Sequence, residues 1–172
     1  MDLQTFKHKV LPVQGRLFRL ARLFLRNREE AEDTLQEVLM RLWTKRQHLD
    51  TYHSVEALAV QMTKNLCLDK LKSQANRTRD DEADLSGVRA DGVSPYDQTE
   101  LSDSTALIRR IVETLPETQK LILHLRDVEE YTFEEIEEVT GLTVNNIRVI
   151  LSRARQRVRD SYLKTINYEA GF

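Results

Sequence analysis

The sequence predicts an all-α protein of two small helical domains joined by a flexible acidic linker. Three observations carry that expectation. Apolar residues recur through most of the chain at about 3.6-residue spacing, which gives a helix one continuous apolar face. Five Gly and three Pro leave little of the punctuation that a many-stranded sheet requires. The stretch 79–103 carries eight acids, two arginines, two glycines and one proline with few large apolar residues, so it cannot bury enough surface to offset its ordering entropy. A chain of 172 residues holds one ordinary domain or two small ones, and the acidic stretch favours two.

The elements follow in order. From Phe6 to Asn27 the apolar positions are Phe6, Val10, Val13, Leu17, Leu20 and Phe24, a helical period that either kinks at Pro12 or restarts after Gly15. Arg16, Arg19, Arg22, Arg26 and Arg28 line the other face. The sign then reverses: Glu29, Glu30, Glu32 and Asp33 open a second helix, where acids are stabilised by the positive helix N-terminus. It is expected to run to about Gln47, with Ala31, Leu35, Val38, Leu39, Leu42 and Trp43 on its apolar face. A loop covers His48 to Ser54. A third helix, capped by Ser54, runs from Val55 to about Ala75, and its end is basic: Lys64, Lys70, Lys72, Arg77 and Arg79 against Asp69. After the linker, helices are expected from Ala106 to Thr114 and from Pro116, in the first turn, to about Val128.

Thr132 to Arg159 reads as two helices around a tight turn. Thr132 and Glu135 form a capping box, each side chain satisfying a free backbone N–H at the helix start. Gly141 takes the left-handed conformation that ends a helix without steric cost, and Thr143 caps the next. In that helix Ile147, Leu151, Ala154 and Val158 form one apolar stripe, while Arg148, Ser152, Arg155 and Arg159 share another face. From Ile147 to Thr165 there are six basic residues against the single acid Asp160. A helix-turn-helix places its second helix in the DNA major groove, where arginine grips phosphates or guanine edges. The tail from Tyr162 to Phe172 carries no clear signal.

Formal net charge is −2, so any affinity for DNA must come from local patches rather than bulk attraction. Cys67 is the sole cysteine, which excludes an intramolecular disulfide. His8, His48, His53 and His124 are scattered, which argues against a metal site, and nothing implies a cofactor. No secretory signal opens the chain, and Leu17 to Leu25 is too short and too interrupted by arginine to span a bilayer. A cytoplasmic location is expected.

On these motifs the chain resembles an extracytoplasmic-function sigma factor, the small two-domain class of bacterial transcription initiation factors. AEDTLQEVLMRLW (Ala31 to Trp43) resembles the family's polymerase-binding helix, and MTKNLCLDKLK (Met62 to Lys72) its promoter-melting helix. The stretch from Leu115 to Arg155 resembles its promoter-recognition domain. The resemblance implies a region 2 domain at 1–78, a linker at 79–103 and a region 4 helix-turn-helix domain at 104–166. It implies that Asp33, Gln36, Glu37 and Arg41 grip the clamp of core RNA polymerase. Lys64, Asn65, Asp69 and Lys72 would hold the melted minus-ten strand, beside a loop at Leu49 to Ser54 that captures a flipped base. Asn145, Asn146, Arg148, Ser152, Arg153 and Arg155 would read or flank the minus-thirty-five element. An anti-sigma partner, often membrane-bound in this family, is implied as well.

Three positions depart from the family pattern. Val149 and Ile150 stand where polar or basic residues are common, which points to apolar contact with thymine methyls. Leu58 replaces a common tryptophan. Glu137 replaces a small residue and extends an acidic run (Glu129, Glu130, Glu134, Glu135, Glu137, Glu138) expected to repel phosphate. The linker acids, tethered between two basic patches, are suited to occupying them when DNA is absent. The main rival reading is a dimeric helix-turn-helix regulator that never touches polymerase; the basic helix from Lys64 to Arg79 behind the Asp33, Gln36, Glu37 face speaks against it. An enzyme is disfavoured, since no paired nucleophile and base and no metal-ligand spacing emerge.

Overall fold

Pro12 decides how the chain begins. It has no N–H to donate to a helix, so α1 (Leu3–Val10) gives way to a 3-10 turn at Leu11–Val13 before α2 (Gln14–Leu25) starts. The kink therefore lies at the proline, and Gly15 falls inside the first turn of α2. The computed structural model describes residues 1–81 and 102–171. Within them the remaining helices are α3 (Arg28–Thr44), α4 (Val55–Asp81), α5 (Asp103–Glu113), α6 (Glu117–Leu123), α7 (Phe133–Thr140) and α8 (Val144–Glu169), and no strand forms. The chain divides into two units, Met1–Val93 and Ser94–Phe172. Residues 82–101 of the acidic stretch, and with them the idea that its acids cover basic patches, lie outside the described residues.

In the first unit α2, α3 and α4 pack on one another around Leu17, Leu20, Ala21, Phe24, Val38, Leu42, Val60 and Cys67, all buried. Arg26 turns left-handed (φ 56°) to end α2, and Asn27 Oδ1 accepts the Glu30 N–H at 3.0 Å to begin α3. Two side-chain bonds tie α3 to α4: Lys70 Nζ donates to the buried Thr34 hydroxyl at 2.8 Å, and Gln74 Nε2 donates to Glu30 Oε1 at 2.6 Å. Lys70 thus serves the helix pair and leaves the basic patch to which its spacing assigned it. The segment after α3 is a second 3-10 turn, Arg46–Thr51, and not helix to Gln47 followed by open loop. Its Leu49 is fully buried. α4 continues six residues past Ala75, to Asp81.

In the second unit Ile111, Leu121, Ile122, Leu125, Ile136, Val139, Ile147, Leu151 and Ala154 form the core. Pro116 is the N-cap of α6 instead of a first-turn residue. The expected helix to Val128 stops at Leu123 and widens into a π turn, His124–Val128. That wider turn brings residues five apart into register: the Glu129 N–H donates to the His124 carbonyl at 3.0 Å, and His124 Nε2 lies 3.3 Å from Glu129 Oε1 with both side chains buried. The turn closes through Glu130 in the left-handed conformation (φ 59°). Arg126 Nη1 donates to the Tyr131 carbonyl at 2.8 Å and its guanidinium lies 4.4 Å from the Phe133 ring centre. α8 extends to Glu169, through most of the tail that carried no signal.

Two outcomes follow from these local environments. A left-handed residue with a Cβ is strained by about 1 kcal/mol, so Glu130→Gly should raise the unfolding free energy by roughly 0.5–1 kcal/mol, read from urea titration by circular dichroism. Burial pushes the Cys67 thiol up to about 12 from an ordinary 9.0. The stability tied to its neutral form is present below pH 9 and is lost as pH rises toward 12. At pH 8 the thiol should resist alkylation in the folded chain and react in urea.

Candidate nucleic-acid interface

The turn between α7 and α8 is built as its residues require. Thr132 Oγ1 accepts the Glu135 N–H at 3.1 Å and Glu135 Oε2 accepts the Thr132 N–H at 2.8 Å, completing the capping box. Gly141 is left-handed (φ 73°), and Thr143 Oγ1 accepts the Asn146 N–H at 3.2 Å to start α8. Ile147, Leu151 and Ala154 are buried and Val158 is half-buried. Asn145, Asn146, Arg148, Ser152, Arg153 and Arg155 are all exposed.

These six do not share one face. At about 100° per residue, Asn145, Ser152 and Arg153 project opposite the buried stripe, together with Val149 and Gln156. Val149 is 47% exposed, whereas Ile150 is half-buried, so only one of the two apolar residues is free to meet a thymine methyl. Arg148 and Arg155 flank the stripe on the side of the preceding elements. The Arg148 guanidinium lies 5.1 Å from the Phe133 ring centre. Arg155 donates from Nε and Nη2 to the two oxygens of Asp127, at 3.0 and 2.6 Å. Those bonds hold the Arg155 pKa above its ordinary value. A shallow groove of about 380 Å³ runs between Phe133 and the α8 face formed by Arg148, Ser152, Arg155 and Arg159.

The acidic run is less repulsive than its composition suggests. Glu129 is buried beside His124, Glu135 caps α7, and Glu137 Oε2 accepts the Val144 N–H at 3.0 Å at the start of α8. Glu129, Glu135 and Glu137 are thus engaged within the fold. Glu137 fills a place at the α8 N-terminus that an incoming phosphate would otherwise find vacant.

In the first unit Asn65, Asp69 and Lys72 lie exposed along one face of α4, and Lys64 is half-buried at its edge. The preceding segment presents Asp50, Thr51, Tyr52 and His53, while Leu49 anchors it from beneath. Ser54 Oγ accepts the Ala57 N–H at 3.0 Å, setting where α4 begins. On α3, Asp33, Gln36 and Arg41 are exposed and Glu37 is half-buried. Arg41 Nη2 donates to Glu37 Oε1 at 2.7 Å, so these two charges largely cancel. Met40, 70% exposed, stands seven residues from Asp33 on the same face. Helical spacing alone would have found Met40; Asp127 and Phe133 could not be found that way, because their partners lie in another element. Among the described residues no cluster of His, Cys, Asp and Glu is placed to hold a metal, and no helix is long and apolar enough to cross a membrane.

Two helical units, one closing in a helix-turn-helix with a basic second helix, are the architecture of a protein built to meet duplex DNA. Residues 10–77 match the family model for sigma-70 region 2 and residues 105–158 that for sigma-70 region 4. The chain is 23% identical over 167 residues to the ECF RNA polymerase sigma factor SigW of Bacillus subtilis, covering 92% of this chain and 89% of that protein. It is 24% identical over 156 residues to the ECF sigma factor SigM of the same organism, covering 89% and 92%. The fold matches that of the sigma factor RpoE from Bartonella quintana, solved with the anti-sigma factor NepR, at a TM-score of 0.73 and 21% identity, covering 94% and 98%. The chain belongs to the extracytoplasmic-function sigma factors of the sigma-70 family, initiation factors that bind core RNA polymerase and direct it to promoters. Nothing in these likenesses favours the dimeric regulator.

The cap on α8 is open to measurement. Glu137→Ala should cost about 0.5–1 kcal/mol of unfolding free energy, and should strengthen, not weaken, salt-sensitive binding of nonspecific duplex by fluorescence anisotropy.

Proposed function

We propose that the two units divide the work of promoter opening. In this reading α3 docks on the polymerase clamp through Asp33, Gln36, Glu37 and Arg41, with Met40 as the apolar anchor. α4 holds the melted minus-ten strand through Asn65, Asp69, Lys72 and Lys64, and the segment after Leu49 receives a flipped base. α8 reads the minus-thirty-five element with Asn145, Asn146, Ser152, Arg153 and Val149, flanked by Arg148 and Arg155. The region 2 domain spans about 1–78 and the region 4 domain about 104–166, with α4 and α8 running slightly beyond. The protein is no catalyst, since nucleotidyl transfer belongs to the polymerase. It works in the cytoplasm under an anti-sigma partner.

The observation that carries this reading is the division of faces in the first unit. α3 and α4 share a seam closed by Lys70 to Thr34 and Gln74 to Glu30, and each leaves a separate polar face exposed. A rigid pair of that kind can hold a protein on one side and a single strand on the other. Unpairing a base costs a few kcal/mol, which a strand-binding face must offset, and amide and carboxylate groups such as Asn65 and Asp69 suit hydrogen bonding to a base edge.

The test is reconstitution with core polymerase and measurement of promoter-specific initiation. Asp33→Ala, Gln36→Ala and Met40→Asp should each weaken core binding about tenfold or more. Asn65→Ala and Asp69→Ala should leave core binding intact and reduce initiation from duplex promoters by a similar factor. Normal initiation by the α3 variants would remove the assigned clamp surface. The free chain should bind duplex weakly, and tight sequence-specific gel shifts without polymerase would contradict the proposal.

A further inference from the structure

We propose that Asp127 is a positioning residue for Arg155, holding its guanidinium side-on so that the remaining edge is presented to a pair of acceptor oxygens or nitrogens on promoter duplex. The inference rests on the reading of the second unit as the promoter-recognition domain. Arginine has five N–H donors in a planar fork. The Asp127 carboxylate takes the Nε edge, with contacts from Nε at 3.0 Å and Nη2 at 2.6 Å. The opposite edge, made by Nη1 and the second Nη2 hydrogen, is left for another bidentate partner. With side chains 51% and 36% exposed, the pair is open to solvent.

Asp127 is itself well placed to be a fixed support. It sits in the π turn between buried Leu125 and buried Glu129, a turn closed by the Glu129 to His124 backbone bond at 3.0 Å and by Arg126 at the Tyr131 carbonyl at 2.8 Å. A long arginine normally loses rotamer freedom on binding. Here the two bonds to Asp127 restrain it beforehand. The pair is also neutral overall, so Arg155 contributes little to indiscriminate phosphate attraction and keeps its directional contact. A competing role for Asp127, in which it occupies the DNA-binding edge until displaced, fits the geometry less well, because that edge is the one left open. The partner chemistry is a pair of acceptors, either guanine O6 with N7 or two phosphate oxygens.

The test uses the full chain with core polymerase and a promoter duplex selected from a randomised pool by the wild-type holoenzyme. D127N and D127A should weaken binding at the minus-thirty-five element by about three- to tenfold, and R155K, which keeps charge but loses the planar fork, should do the same. Initiation from a template lacking that element should not change. In the R155A background D127A should add little. The exchange D127R with R155D should recover thermal stability without recovering DNA affinity, which a merely structural bridge would not predict. Replacing guanines by 7-deazaguanine abolishes the D127N effect if the partner is a base edge and preserves it if the partner is phosphate. Wild-type affinity in D127N, or tighter binding, overturns the inference while leaving the sigma reading intact; absence of promoter-specific initiation by the wild-type chain removes both.

Discussion

In units this small every helix must give a full face to the core, and that demand determines which side chains are left for partners. α2, α3 and α4 meet around Leu17, Leu20, Val38, Leu42 and Val60, and burying each such side chain is worth about 1.5–3 kcal/mol. No helix of the trio can rotate to offer a different face without exposing that surface. The exposed positions of α3 and α4 are thus fixed by what lies beneath them. Met40 is available because Val38 and Leu42 are not.

The same demand governs polar groups. Thr34 is fully buried on the inner side of α3, yet its hydroxyl donates to the Glu30 carbonyl at 2.8 Å and accepts from Lys70. A buried hydroxyl without such partners would be destabilising. The pairing draws a lysine out of the basic patch, so the cationic face of α4 is narrower than its composition. In the second unit, Asp127 and Glu137 act likewise on α8, one holding Arg155 and the other closing a free backbone N–H. Charge counted along the chain overstates the charge that a strand of DNA would meet.

This local cancellation suits a factor that must not bind DNA indiscriminately. Phosphate attraction is independent of sequence and scales with the number of free cations. In a chain of net charge −2, Arg148 lies against Phe133 and Arg155 against Asp127, so two of the α8 arginines are already engaged within the fold.

Local information in the sequence was sufficient for the all-α class, the capping box at Thr132 and Glu135, the Gly141 turn, the Thr143 cap and the stripe from Ile147 to Ala154. Each depends on residues within one or two helical turns, so spacing alone determines it. The family motifs extended that reading to candidate faces on α3, α4 and α8. Tertiary structure decided the rest: that Lys70 meets Thr34, that α6 widens into a π turn pairing His124 with Glu129, that Glu137 reaches Val144, and that Asp127 grips Arg155. In each of these, the choice among conformers of similar local energy was made by packing or by a polar partner outside the local helical repeat, and periodicity carries no record of such a partner.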